Sequence, residues 1–377
     1  MLRRPPPPGV RRLRVWAVED TAAQVTWGAL PPGPVTIAAG DASVTVPGGA
    51  GPGAADLVGL PPDTRLTLTV SAPGQPPVPV TRFRTLPPPP GELLFRFATV
   101  NDMHIGSRKF GTLKPFREPP GTAPPHPVRC GRAALTEAVA WGAELIVGKG
   151  DVTDNGRVEQ WHTVAQLFAE TGLPVMVTNG NHDVHRGAVP GAPILAPHGI
   201  EMSDGVAHRD VPGARLIVVD TAIPTERHGR LAHAADPVVE LIHEAGGPVV
   251  VAMHHYPQVG RRVNTWPPGV PAPEAPEFLE AVARARPGVL LTSGHTHRHR
   301  RHRHGTLVHT EVGSTKDYPG TWAGYAVHEG GIRQVVRRVA APDAISWTDR
   351  TRMVLGGVWG MWAAGRLGER CFVHPWP

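Results

Sequence analysis

Hydrophobic and polar positions follow two different rhythms along the chain. Between Leu13 and Thr85, short segments such as RLRVWAVED, AAQVTWGAL, PVTIAAGD, ASVTVPG, TRLTLTVSA and VTRFRTL alternate apolar and polar residues and are broken by Pro and Gly. Period-two alternation with frequent turn residues predicts an all-β sandwich. Pro87 to Pro90 then form a stiff polyproline spacer. From about Glu92 apolar runs alternate with helix-length segments. LLFRFATVND, AELIVGKGD, LPVMVTNGN, ARLIVVDT, PVVVAMHH and GVLLTSGH read as strands. CGRAALTEAVAWG, RVEQWHTVAQLFAETG and PEFLEAVARARPG read as helices, and TLVHTEVGS, GYAVHEG and IRQVVRRV as further strands. Such alternation predicts a layered α/β domain with at least one mixed sheet. The tail from Ser346 carries apolar residues at helical spacing with several Trp. It is expected to pack on the α/β domain rather than serve as a partner or membrane helix. The expected organisation is a disordered head over 1–11, a β-sandwich over 12–86, a Pro-rich linker over 87–91, the α/β domain over 92–340 and a Trp-rich helical tail over 341–377.

Composition changes this picture little. A hydrophobic content of 41% supports a real core, and the 44 Gly and 44 Pro gather in linkers and turns. A net charge of +6 permits anionic partners, although an Arg-rich, Lys-poor chain is basic on general grounds. Cys130 and Cys371 are the only cysteines, which excludes a disulfide scaffold and predicts two buried thiols. The basic start lacks the apolar stretch of a signal peptide, and no apolar run reaches the roughly eighteen residues of a membrane span. A cytoplasmic protein with no membrane partner is expected.

Candidate chemistry sits at five places. Asp102-Met103-His104, Gly150-Asp151-Val152-Thr153-Asp154, Gly180-Asn181-His182-Asp183, His254-His255 and Gly294-His295-Thr296-His297 each adjoin an apolar run that reads as a buried strand. Open α/β sheets bind ligands at the carboxyl ends of their strands. Asp, Asn and His converging there make a metal site. Each block alone could be turn or capping chemistry, but five coinciding blocks outweigh that reading. Asp102 supplies charge, His104 an imidazole nitrogen and Asn181 a neutral amide oxygen, while Asp151 can give one oxygen to each of two ions. With His254, His295 and His297 these groups leave open coordination positions, as a catalytic site needs. Oxygen and imidazole donors without thiolate suit Mn, Fe, Zn, Co or Ni.

The ordered blocks D-x-H, G-D-x-x-D, G-N-H-D, H and G-H-x-H resemble the calcineurin-like metallophosphoesterase superfamily over about Phe95 to Val339. The resemblance implies a four-layer α/β/β/α sandwich and two divalent metal ions. One ion would be held by Asp102, His104 and His297, the other by Asn181, His254 and His295, with Asp151 between them. It further implies a metal-bound hydroxide attacking phosphorus, His182 assisting the leaving oxygen, and Asp183 orienting His182. His255 remains an alternative to His254, and Asn181, His182, His255 and Arg186 are candidate substrate contacts. Asp154 stands where purple acid phosphatases carry a tyrosine, so ferric-tyrosinate chemistry is not expected. Trp27 in QVTWG, LPPDTRLTLTV and FRTLPPP resemble a fibronectin type III module, read as a docking or packing unit.

The favoured function is phosphodiester hydrolysis of a small or nucleotide-like substrate, with monoester hydrolysis also open. A nuclease and a metal-binding scaffold without turnover are the alternatives. The run HTHRHRRHRH from His295 to His304 reads as a solvated hairpin loop beyond its two ligands rather than a nucleic-acid patch. Segments Lys109 to Val128 and Arg261 to Pro276 are expected to line the pocket without a readable motif. Oligomeric state and natural substrate are not encoded in any motif.

Overall fold

The computed structural model describes residues 8–49, 51–111, 115–258 and 266–376. Residues 1–7 of the expected head, and residues 112–114 and 261–265 of the two pocket segments, lie outside the described residues. Arg11, within the stretch expected as head, forms an antiparallel bridge with Ala29.

The alternating N-terminal region forms two antiparallel sheets. One contains Arg14–Val18, Ala22–Trp27 and Gly53–Val58; the other contains Ala42–Gly49, Leu30–Ala39, Arg65–Ser71 and Val78–Arg84. Inward residues such as Val25, Val35, Ile37, Leu68 and Val70 build their shared core. That core does not stop at the sandwich: it runs on into Tyr318, Val335, Ala363 and Cys371. Gln24 exchanges two 2.9 Å hydrogen bonds with the Arg338 backbone, and Glu19 pairs with Arg333 at 2.9 Å. The sandwich is therefore fastened to the α/β domain by apolar and polar contacts together.

The α/β domain holds two stacked mixed sheets. The first runs Ile200–Met202, Val175–Thr178, Leu145–Lys149, Leu93–Val100, Thr321–His328, Gly331–Arg338, Phe372–Pro375; its first four strands are parallel. The second runs Val206–Val211, Ala214–Val219, Val249–Met253, Leu290–Ser293, Leu307–Glu311, Arg300–His304. Successive side chains of a strand face opposite ways. Accordingly Phe97, Leu145, Val147 and Met176 meet Leu216, Val218, Val250 and Leu290 between the sheets. Ala98, Val100, Ile146 and Val177 face outward onto the helices His126–Ala140 and Val158–Ala169. On the far side, Ile217, Val251 and Leu291 pack on the helices Ala235–Glu244 and Glu274–Ala285. Both faces of each sheet are covered, so their strands read as near-continuous apolar runs. The result is the expected four-layer α/β/β/α sandwich.

Two details depart from the sequence reading. The tail is not wholly helical: after Pro342–Thr351 and Val358–Ala364 it ends in the strand Phe372–Pro375, which pairs with Gly331–Arg338. Arg300–His304 is not a loop but an edge strand paired to Leu307–Glu311. His299 before it is fully buried, and its Nδ1 accepts the Gly313 amide at 3.0 Å.

Candidate metal centre

The five blocks meet at the carboxyl ends of five neighbouring strands. Asp102 and His104 follow Leu93–Val100, Asp151 follows Leu145–Lys149, and Asn181 follows Val175–Thr178. His254 follows Val249–Met253 in the second sheet, and His295 and His297 follow Leu290–Ser293. The backbone bends sharply there. Of nine non-glycine residues with positive φ in the described chain, five are Asp102, His104, Asp151, His295 and His297. Such conformations cost about 1–3 kcal/mol each and persist where the surroundings over-determine them. The loops also approach closely: a Cβ on Gly180 would lie 2.3 Å from Asp151 Oδ1, so only glycine fits.

Hydrogen bonds aim each donor at a common centre. Asp102 Oδ2 accepts from Asn101 Nδ2 at 2.6 Å and from the His295 amide at 3.0 Å, which leaves Oδ1 buried and unpartnered. Asp151 Oδ1 accepts the His182 amide at 2.7 Å. Its Oδ2 lies 3.7 Å from His104 Nε2 and 3.4 Å from His254 Nε2, between the two histidine sets. His254 Nδ1 donates to the Lys149 carbonyl at 2.8 Å and His295 Nε2 to the Pro268 carbonyl at 2.9 Å, leaving Nε2 and Nδ1 facing each other at 3.2 Å. His297 Nδ1 is held by Asp317 Oδ2 at 2.9 Å, and its Nε2 faces Asp102 Oδ1 at 3.2 Å. Fixing one ring nitrogen from behind is how proteins set the other for a metal.

Both ring nitrogens of His104, Oδ1 of Asp102 and Oδ1 of Asn181 are buried without a hydrogen-bond partner. Unsatisfied buried polar atoms are rare and call for an explanation such as an ion. Four overlapping groups place donor atoms within 4.8 Å of one another: Asp102/His104/His297, Asp102/Asp151/His254, His104/Asp151/His182 and His254/His255/His295. The donor set fits divalent cations.

Charge is strongly perturbed here. Burial opposes ionisation of Asp102 and Asp151, yet the imidazoles of His297 and His254 outweigh it and hold both carboxylates below the usual range. In return, burial of His254 and His297 is outweighed by Asp151 for the first and by Asp317 and Asp102 for the second. His254 rises to about 9 and His297 to about 10. Burial, reinforced by Lys316 and His254 respectively, depresses His104 and His295 to about 3.

One expected contact differs in the structure. Asp183 is not bonded to the His182 ring: its carboxylate accepts the amides of Thr153 (2.8 Å), Gly180 (2.9 Å) and Val152 (3.3 Å) and the Thr153 hydroxyl (2.7 Å). It ties two loops together, and burial beside Asp151 pushes it up to about 7. His182 is instead oriented by Asp154, whose carbonyl accepts Nδ1 at 2.9 Å. Arg186 is exposed and forms no ion pair among the described residues. Of the adjacent histidines, His254 faces Asp151, whereas His255 Nδ1 is bonded to Thr221 Oγ1 at 2.8 Å. His255 Nε2 is buried and unpartnered within the His254/His295 group, so it stays near the centre.

Sequence reading missed several supports. Asn101 positions Asp102; Ser314 Oγ donates to Asp317 Oδ2 at 3.0 Å, and Asp317 holds His297. Buried Lys149 donates to Thr292 Oγ1 at 2.8 Å and to the Ser293 carbonyl at 3.0 Å, joining the two sheets beneath the site. None of these lies in a spacing pattern that marks it.

Residues 95–299 match the model of the calcineurin-like phosphoesterase family. That is more than half of the chain, and the protein belongs to this family, a metal-dependent class of hydrolases acting on phosphate esters. It is 25% identical over 164 residues to a probable cyclic nucleotide phosphodiesterase of a Synechococcus species, spanning 41% of this chain and 58% of that relative. Among solved structures it is similar to purple acid phosphatase PPD1 from yellow lupin (Lupinus luteus) seeds, at 13% identity and a TM-score of 0.49, over 89% of this chain and 72% of that one. It is also similar to PhoD, at 11% identity and a TM-score of 0.44, over 89% and 87%. Among the described residues no helix is long and apolar enough to cross a membrane.

Proposed function

We propose that this protein is a binuclear metal-dependent phosphoesterase that prefers small phosphodiesters, nucleotide-like ones included. In this reading Asp102, His104 and His297 hold one ion, Asn181, His254 and His295 the other, and Asp151 lies between. Asp151 Oδ2, placed between His104 and His254 while its other oxygen is held by the His182 amide, is the observation that carries the proposal. When bound, the ions supply Lewis acidity toward phosphoryl oxygens and lower the pKa of water.

The chain's own residues do the rest. His182 donates from Nδ1 to the Asp154 carbonyl, so Nε2 is the ring atom left for proton transfer. Its side chain is 36% exposed, against 5% for His104 beside it, so His182 stands at the mouth where a leaving oxygen departs. When the ring also carries a proton on Nε2, it can pass that proton to the departing oxygen and return to the neutral form. Asp154 fixes the ring, and Asp183 fixes the loop that carries it. The similarity to a cyclic nucleotide phosphodiesterase supports the diester preference.

The test loads metal-stripped protein with Mn, Zn or Fe and compares bis-p-nitrophenyl phosphate with the monoester. Faster diester hydrolysis is expected, and His182→Ala should slow turnover by about 10²–10⁴ while keeping the metals. A faster monoester reaction would overturn the preference. Cleavage of DNA that falls steeply with salt would favour a nuclease instead.

A further inference from the structure

The C-terminal segment, outside the stretch matched to the family, reaches the metal centre and then opens to solvent. The Phe110 ring lies 6.0 Å from His297, Trp359 lies 6.5 Å from His297 and 5.5 Å from Phe110, and Trp362 lies 5.5 Å from Trp359. Beyond this aromatic row the apolar side chains of Met353, Leu355, Val358, Met361 and Trp362 are exposed, Met361 to 77%. The kink at Leu355 and Gly356, both with positive φ, carries the chain from one short helix to the next. The hairpin of Lys109–Phe110 and Phe116–Arg117 lies alongside, close enough that a Cβ on Gly111 would sit 3.2 Å from Val354.

Cations rim this apolar patch. Lys109, Arg117 and Arg350 are exposed and form no ion pair among the described residues; Arg350 lies over Phe116 at 5.5 Å. The nearby acid Asp349 is already taken by Arg12 at 2.5 Å and Arg338 at 3.7 Å. Five exposed apolar side chains within ten residues of chain, beside a hairpin and a helix that carry unpaired cations, mark an interaction site. A second copy of the chain would face this rim with its own cations across a two-fold axis. An anionic surface meets both the apolar centre and the rim.

We propose that this patch docks the protein on an anionic lipid surface, with the lip of the metal centre turned toward it. Apolar residues enter the acyl boundary while Lys109, Arg117 and Arg350 engage headgroups, as interfacial segments do. The docking revises the expectation of no membrane partner; that a lipid phosphoester is thereby presented to the centre rests on the phosphoesterase reading above.

Co-sedimentation of the full chain with phosphatidylglycerol-containing and pure phosphatidylcholine vesicles tests it. Binding to the anionic vesicles is expected, falling with salt, and about tenfold weaker for Met361→Asp and for the pair Lys109→Glu/Arg117→Glu. Met361→Asp should keep its fold by circular dichroism and hydrolyse soluble bis-p-nitrophenyl phosphate at the wild-type rate. Wild-type protein left in the supernatant, or equal binding by Met361→Asp, would overturn the proposal. So would a concentration-dependent dimer in sedimentation velocity that Met361→Asp abolishes, since it would assign the patch to a second copy. Vesicle binding needs no turnover, so a failed phosphoesterase reading would not disturb this result.

Discussion

Two regions of this protein bury polar and charged groups, and they do so in opposite ways. Where the sandwich meets the α/β domain, the buried guanidinium of Arg370 gives Nε and Nη2 to the Trp16 carbonyl and Nη1 to the carbonyls of Ala364 and Gly365. Arg338 likewise donates to the Pro319 carbonyl and the Thr348 hydroxyl. At the strand ends of the α/β domain, by contrast, Asp102, His104 and Asn181 keep buried atoms without partners, on backbone bent into positive φ at Asp102 and His104. At Arg370 every guanidinium nitrogen finds a carbonyl, and the arrangement holds two units together. The second is left open for a ligand, and the neighbouring structure must carry its strain and its buried polar atoms that lack hydrogen bonds.

The contrast breaks most visibly at Asp151. Asp151→Ala is expected to lower diester hydrolysis by at least about 10³-fold without unfolding the protein, as steady-state kinetics and circular dichroism would show. Full activity in that variant would remove the basis for treating the centre as open. Arg370→Met should do the reverse: it leaves the carbonyls of Trp16, Ala364 and Gly365 without their donor and costs about 3 kcal/mol in denaturant unfolding, with metal content unchanged. Asp317→Asn lies between the two. It should weaken metal binding about 10- to 100-fold through the His297 ring.

A separate expected effect is on acid stability. His126 and His309 are buried, and burial above all holds both down to about 3 from 6.5. A base depressed on folding adds stability that is complete above its unfolded value and lost as pH falls toward the folded one. Unfolding free energy should therefore decline from about pH 6.5 toward pH 3, and His309→Gln should flatten that decline, read by denaturant titration across the range.

Much of this was legible in the sequence because its signals are local. Strands buried on both faces, such as Leu145–Lys149 and Val249–Met253, are apolar throughout and stand out from the amphipathic helices between them. The five blocks sit directly at such strand ends, so their residues could be named before their geometry was known. What escaped notice depends on distant partners. Asp317 matters only because His297, twenty residues earlier in the chain, turns its Nδ1 toward it. The strand Phe372–Pro375 exists because the edge of Gly331–Arg338 is there to pair with, and Arg300–His304 extends along Leu307–Glu311 despite its charge. The partners of Asp183 were hidden for a similar reason: adjacency to His182 suggested direct contact, whereas its carboxylate accepts four donors from other positions.

The proposed reading has two cations share Asp151, and calorimetric titration of metal-stripped protein with Mn²⁺ near pH 7 addresses that directly. Asp151 raises His254 to about 9, and Asp317 with Asp102 raises His297 to about 10, so ligation at these rings is expected to displace protons. The prediction is two ions bound per chain with net proton release, seen as a binding heat that changes with buffer ionisation enthalpy, and fewer than two in Asp151→Ala. A wild-type chain that binds one ion or none, or an Asp151→Ala variant that still binds two, would contradict it.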